Sequence, residues 1–219
     1  MPTNDILTPL QAKVLELFFA TEVGRQFFLT GGTALAAFYL HHRFSEDLDL
    51  FTVDDGVLEP ATAVLEAISR QVGGSLSNRL IVTSLKQLSL EAEGEVVRID
   101  LVRDHKIQFG ENQLFGNVIV DSLENVGASK LTAILSRTES KDFVDLYFIL
   151  QQGQDLDHLL SLAKQKDLGL TEFWIANMMR QIRGVTRMPR MIKPLDLELL
   201  KKFYLDLADE LLRRVKPAE

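Results

Sequence analysis

The spacing of apolar positions divides this chain into stretches of helical and of strand period. Thr8-Pro9-Leu10-Gln11 reads as a capping box with proline at the first helical position. Leu10, Val14, Leu17 and Phe18 follow on one face, so a helix is expected to about Thr21. The apolar run Phe27-Phe28-Leu29 predicts a strand at about 26–30 feeding Gly31-Gly32, and a helix from there to about His42. Asp47-Leu48-Asp49-Leu50 alternates as a strand over 47–52, closed by the turn Asp54-Asp55-Gly56. Ala61, Val64, Leu65, Ile68 and Val72 return to helical spacing, and Gly73-Gly74 stops that helix. An apolar run over 78–84 then begins a β stretch. Leu88, Leu90 and Ala92 alternate with polar residues, and Glu93-Gly94 reads as a hairpin turn into 95–103. After Asp121 the period is helical almost to the end. The pattern predicts an N-terminal α/β domain over 1–120 and a helical region over 121–219.

Composition adds limits. At 219 residues, with 46% hydrophobic and 25% charged, the chain is an ordinary globular one. No apolar run reaches the length of a membrane span, and the start MPTNDILTP is no signal peptide, so a cytoplasmic location is expected. With no cysteine, any metal must rest on oxygen or nitrogen ligands. A net charge of −7 argues against broad non-specific nucleic-acid binding and leaves room for a local basic groove.

The densest chemistry lies in residues 31–51. Side chains of a strand alternate faces, so Asp47 and Asp49 project together while Leu48 and Leu50 face the core. Two carboxylates beside a glycine turn at a helix start suit Mg²⁺ bound to a nucleoside triphosphate. The string Gly31, Gly32, Thr33, Leu35, Arg43, Ser45, Asp47, Leu48, Asp49 resembles the AbiEii-type nucleotidyltransferase toxins, a branch of the DNA polymerase β-like nucleotidyltransferases. The spacer Thr33 to Glu46 is longer than in many members, and glycine stands at 32 where serine is commoner. The resemblance implies an α/β (α+β) nucleotidyltransferase domain with a mixed sheet, followed by helices.

It also implies a third acid on a neighbouring strand, for which Asp100 in VVRIDLVRD is the candidate. Ile99 and Leu101 should point into the core, leaving Asp100 on the opposite face. Such an acid is uncommon in an apolar strand unless paired or metal-bound. The alternative is an exposed edge position paired with Arg98 or Arg103, and Asp104 is the weaker substitute. Three carboxylates can hold two Mg²⁺ ions, with Mn²⁺ as a substitute, and Asp100 is placed to take the acceptor hydroxyl's proton. Arg43 and Ser45 could touch phosphate or fix Asp47. Arg43 equally suits a cation at a helix C-terminus.

A second block, SLENVGASKLTAILSRTESKDFVDLYFIL, resembles the family's lysine helix and Lys-Asp-x-x-Asp-Leu motif, here Lys130, Arg137, Lys141, Asp142, Asp145 and Leu146. Lys130, Ala133 and Arg137 share a helical face. By resemblance, Lys130 neutralises the triphosphate and its helix contributes to the site. A solvated face is the plain reading of Lys130, and Lys141 is equally an ordinary surface lysine. Asp142 and Asp145 orient the lysines, or Asp145 approaches the nucleotide. Residues 173–195 hold Arg180, Arg183, Arg187, Arg190 and Lys193 without an acid. Arg180, Arg183 and Arg187 could share a helix face and grip RNA phosphates. A solvated face with interleaved methionines is the plainer reading. Trp174 is expected in the core, and His41 and His42 are read as structural or exposed.

Together these motifs imply a Mg²⁺-dependent enzyme transferring a nucleoside monophosphate from an NTP to an acceptor hydroxyl. The resemblance makes tRNA the acceptor, the role the toxin of a toxin–antitoxin or phage-defence pair, and the partner a cognate antitoxin. The rival readings are an enzyme that nucleotidylates protein and an inactive nucleotide-binding module.

Overall fold

Thr8 opens the first helix as its neighbours require. In the computed structural model, which describes residues 6–215, the Thr8 hydroxyl accepts from the Gln11 amide and the Gln11 side chain accepts from the Thr8 amide. Helix α1 then runs Pro9–Phe19. Its buried face is Leu10, Gln11, Val14, Leu15, Phe18 and Phe19, with Leu17 half-buried at the margin. The next strand, β1, is shorter than expected, Phe28–Thr30, because Gly24–Gln26 forms a 3-10 turn closed by the Phe27 amide on the Gly24 carbonyl. Helix α2 (Gly31–Ala34) continues as a π-helical stretch over Leu35–Leu40. The expected helix to His42 stops short there, because His41 enters the left-handed region (φ 51).

The remaining elements of this part are β2 (Asp47–Thr52), α3 (Leu58–Gln71), β3 (Ser75–Val82), β4 (Leu85–Ala92), β5 (Glu95–Arg103), β6 (Gln113–Phe115) and β7 (Val118–Val120). The strands form one mixed sheet in the order β3-β4-β5-β2-β1-β7-β6. Strand β2 is antiparallel to β1 and parallel to β5, while β7 lies parallel to β1. One sheet face supplies Leu48, Leu50, Leu88, Leu90, Ile99 and Leu101 to a core shared with Val14, Leu15 and Phe18 of α1 and Ala61, Leu65 and Ile68 of α3. The other face carries Asp47, Asp49 and Asp100. The period of two therefore sorts apolar from acidic residues across the sheet.

Two parts of the sheet escaped the pattern. The apolar run around 78–84 builds β3, but Leu80, Ile81 and Val82 are exposed on this edge strand instead of feeding the core. The β6–β7 hairpin has strands of three residues, too short to show a period.

The chain divides into two compact units between Ser122 and Leu123. The second contains α4 (Leu123–Ser136), α5 (Ser140–Gln151), α6 (Leu156–Lys166), α7 (Glu172–Met179), a 3-10 turn at Arg180–Gly184, and α8 (Leu197–Val215). Asp155 and Thr171 cap α6 and α7 through their side chains. Gly127 lets α6 approach α4, since a Cβ there would lie 2.9 Å from a Leu159 methyl carbon. Trp174 is 56% exposed, contrary to expectation, because it sits in the first turn of α7 on the face away from buried Ile175 and Ala176. Among the described residues no helix is long and apolar enough to cross a membrane.

Candidate active site

The acidic face is assembled by register. Asp49 of β2 pairs with Asp100 of β5 and with Thr30 of β1, and Asp47 pairs with Arg98. Gly31 stands at the end of β1 with φ +68, and a Cβ added there would lie 2.0 Å from Asp49 Oδ2. Both the left-handed backbone and this crowding require glycine. A Cβ on Gly32 would lie 2.4 Å from Arg43 Nη2 and 3.0 Å from Ser45 Oγ. Thus Gly31, Gly32, Arg43, Ser45 and Asp49 meet around one turn. Arg43 is buried, and its Nη1 donates to the Phe44 carbonyl at 2.9 Å. Of its two readings, the cation at a helix end is not met, since the helical stretch ends at Leu40 and the guanidinium packs against Gly32. The Thr33 hydroxyl donates to the Asp47 carbonyl, fixing the start of β2.

Asp100 is half-buried between fully buried Ile99 and Leu101, and Gln87 Nε2 of β4 donates to its Oδ2 at 3.1 Å. The arginines take other acids. Arg98 Nε lies 2.7 Å from Asp47 Oδ1, and Arg103 Nη1 lies 2.5 Å from Asp55. Asp47 Oδ1 is buried and receives no well-aligned hydrogen bond, so its contact with Arg98 is an ion pair.

Among the described residues no three His, Cys, Asp or Glu side chains converge as a ready ligand set. The donors nonetheless fit a hard divalent cation. Asp47, Asp49 and Asp100 offer only carboxylate oxygens on one face, and Asp47 Oδ1 is a buried acceptor already drawn to a positive group.

In the helical unit, Lys130 is buried, not solvated. Its Nζ lies 2.8 Å from Asp142 Oδ1 and 2.7 Å from Asp145 Oδ2, and both acids are fully buried. Arg137 adds a bond from Nε to Asp142 Oδ2 at 2.8 Å. Burial pushes the Asp142 carboxyl up, but Lys130 and Arg137 outweigh it and hold the group below the ordinary carboxylate range. Nearby, the fully buried Tyr204 donates to the Phe143 carbonyl at 2.7 Å. Burial, then the charges of Asp145 and Asp142, push its phenol well above the usual value. Lys141 stays at the surface beside Glu139, 3.2 Å away. The basic stretch does not form one helical face, because α7 ends at Met179 and Arg187 follows the 3-10 turn. Arg180 instead bonds Asp209 at 2.5 Å.

Sequence reasoning did not assign Arg98 to Asp47, nor find Gln87, Thr30, Tyr39 or Asp121 near the acidic face. Period alone places Arg98 and Asp100 on one side of β5. Only the pairing of β2 with β5 says which acid each residue meets.

A family model described as "Nucleotidyl transferase AbiEii toxin, Type IV TA system" matches residues 14–215. An uncharacterised protein of Aquifex aeolicus (strain VF5) is 29% identical over 157 residues, covering 71% of this chain and 73% of that protein. Among solved structures, MenT4, a nucleotidyltransferase toxin from Mycobacterium tuberculosis H37Rv, superposes with a TM-score of 0.64 at 18% identity, over 94% of this chain and 83% of its own. JHP933 from Helicobacter pylori superposes with a TM-score of 0.58 at 18% identity, over 94% and 90%. The likeness to these two structures is one of fold.

Proposed function

The chain belongs to the AbiEii nucleotidyltransferase toxins of type IV toxin–antitoxin systems, and on that premise we propose that Asp47, Asp49 and Asp100 are its catalytic carboxylates and RNA its acceptor. The observation that carries this reading is the register of Asp49 with Asp100 on adjacent parallel strands, beside a glycine turn pressed against Asp49. Gly31 and Gly32, bare of side chains, let the triphosphate approach the backbone closely. Arg43 and Ser45 stiffen the turn from below, and Thr33 holds the first residue of β2. The acceptor hydroxyl oxygen attacks the α-phosphorus, the bond to the β-phosphate breaks, and pyrophosphate leaves. Asp100, steadied by Gln87, takes the hydroxyl proton. Asp47 and Asp49, with Asp100, would hold Mg²⁺ or Mn²⁺. When bound there, the ion neutralises the triphosphate and eases ionisation of the attacking hydroxyl.

The reading is tested by offering each α-labelled NTP to total RNA and total protein with Mg²⁺. Label is expected in RNA, with tRNA as the size class carrying it. Label in protein alone would move the acceptor to a side chain, which the net charge of −7 makes the natural second reading. Asp47→Ala and Asp49→Ala should abolish labelling while nearly keeping the thermal transition, since the pair that Asp47 makes with half-exposed Arg98 is worth about 1 kcal/mol or less. An Asp47→Ala protein that labels at the wild-type rate would overturn the carboxylate assignment.

A further inference from the structure

We propose that Asp121 is a positioning residue for the Gly31–Gly32 turn, acting through Thr30 and Tyr39. This rests on the reading of that turn as the triphosphate cradle. Asp121 is 2% exposed and reaches both flanks of the turn from three of its own groups. Its amide donates to the Leu29 carbonyl at 2.9 Å, extending the pairing of β7 with β1. Its carboxylate Oδ2 accepts from the Thr30 hydroxyl at 2.6 Å. Its carbonyl accepts from the Tyr39 hydroxyl at 2.7 Å. Leu29 and Thr30 are the last strand residues before Gly31, and Tyr39 lies on the π-helical stretch that follows the turn. One residue thus ties the entry and the exit of the turn together.

The Thr30 bond is not an incidental cap. Thr30 occupies the N-cap position of α2, where a threonine hydroxyl ordinarily accepts from the first helical amides. Here it makes no such bond and donates to Asp121 instead. Thr30 also pairs with Asp49 in the sheet, so the side chain that Asp121 grips stands beside a proposed catalytic carboxylate. Tyr39 keeps its proton for this purpose. Burial, then the charge of Asp121, push its phenol up to about 12, so it stays a donor at any physiological pH. Its ring packs edge-on against Phe115 of β6, with centroids 5.7 Å apart, which fixes the direction of its hydroxyl.

A charge-accepting bond of this kind is directional, and without it the turn would sample geometries that leave the triphosphate misplaced. The expected signature is a rise in the NTP Michaelis constant larger than any fall in kcat. Thr30→Val keeps the shape and deletes the hydroxyl, and should raise the Michaelis constant about tenfold, the equivalent of one hydrogen bond to a charged group. Asp121→Asn keeps a neutral acceptor and should fall between Thr30→Val and wild type. Thr30→Ser keeps the hydroxyl and should stay near wild type. The experiment measures binding of a non-hydrolysable NTP analogue by calorimetry, steady-state constants and thermal midpoints for these proteins. Weakened binding in Thr30→Val, recovered in Thr30→Ser, supports the assignment. Equal binding in wild type and Thr30→Val, with only the midpoint lowered, overturns it and makes Asp121 a purely structural tie. A wild-type protein that binds no nucleotide overturns the cradle reading itself, and with it this role.

Discussion

The buried lysine is where a single residue decides most. Lys130 faces two fully buried acids, so removing its charge takes a shared cation from both carboxylates, although Asp142 keeps Arg137. Lys130→Ala is expected to cost about 3–5 kcal/mol of stability, the scale for breaking a buried pair from one side. Urea unfolding of the purified variant checks this. Lys141→Ala, whose only described ion pair is the exposed one with Glu139, should change stability by no more than about 1 kcal/mol. Asp142 also makes stability depend on pH. Its carboxyl is held below its unfolded value, so its contribution is complete above the unfolded pKa of about 3.9 and fades as pH falls through the lower folded value. Urea midpoints measured downward from pH 5 should therefore fall in wild type, and less steeply in Asp142→Asn measured against its own neutral-pH value. Lys130, Arg137, Asp142 and Asp145 were all legible in the sequence as a motif. Their burial was not, because a helical face shows which residues stand together and not what covers them.

Among the elements, the β4–β5 hairpin shows a local rule broken by one residue. Its turn, Glu93-Gly94, places both residues in the left-handed region (φ 52 and 80), which suits Asn-Gly far better than Glu-Gly. Glu93 is exposed and free to change. Glu93→Asn should raise stability by about 0.5–1 kcal/mol through relief of left-handed strain, read as a higher thermal midpoint. The turn, the capped α1 and the alternating β2, β4 and β5 were all readable, since each writes its rule in consecutive residues. The hairpin of β6 and β7 was not, because its pairing rests on partners far away in the chain: β7 bonds to β1 at Leu29 and Val120. The edge position of β3 was hidden for a similar reason. A strand does not record whether a neighbour will lie beyond it.

For the whole molecule, the charge is acidic but unevenly spread. Arg180, Arg183 and Arg213 gather around Asp209 in the helical unit, and the bond from Arg180 leads the effects holding that carboxyl below its ordinary range. Arg180, Asp209 and Arg213 themselves line a groove of about 690 Å³, together with Phe173, Asn177 and Leu212. The sequence marked this region as basic, but it named Arg187 where the fold brings up Arg213 from a separate helix. If RNA is the labelled acceptor, Arg183→Gln with Arg213→Gln should raise its Michaelis constant. The salt slope should fall by about two, one for each phosphate left without its arginine. NTP binding should be unchanged. Arg180 is best left in place, since its bond to Asp209 joins the 3-10 turn to α8. A double variant with the parental salt slope would assign the groove to something other than nucleic acid.

The crowding at Gly31 has a consequence for inheritance. Any side chain at that position collides with Asp49, so every missense change there is expected to disarm the protein while most of its core packs as before. A cell harbouring a toxin gains by such a change whenever protection lapses. Glycine codon 31 then becomes a short mutational exit from self-poisoning. Survivors of unprotected expression should carry replacements at this codon more often than at exposed positions of equal mutability, and growth alone would mark the turn.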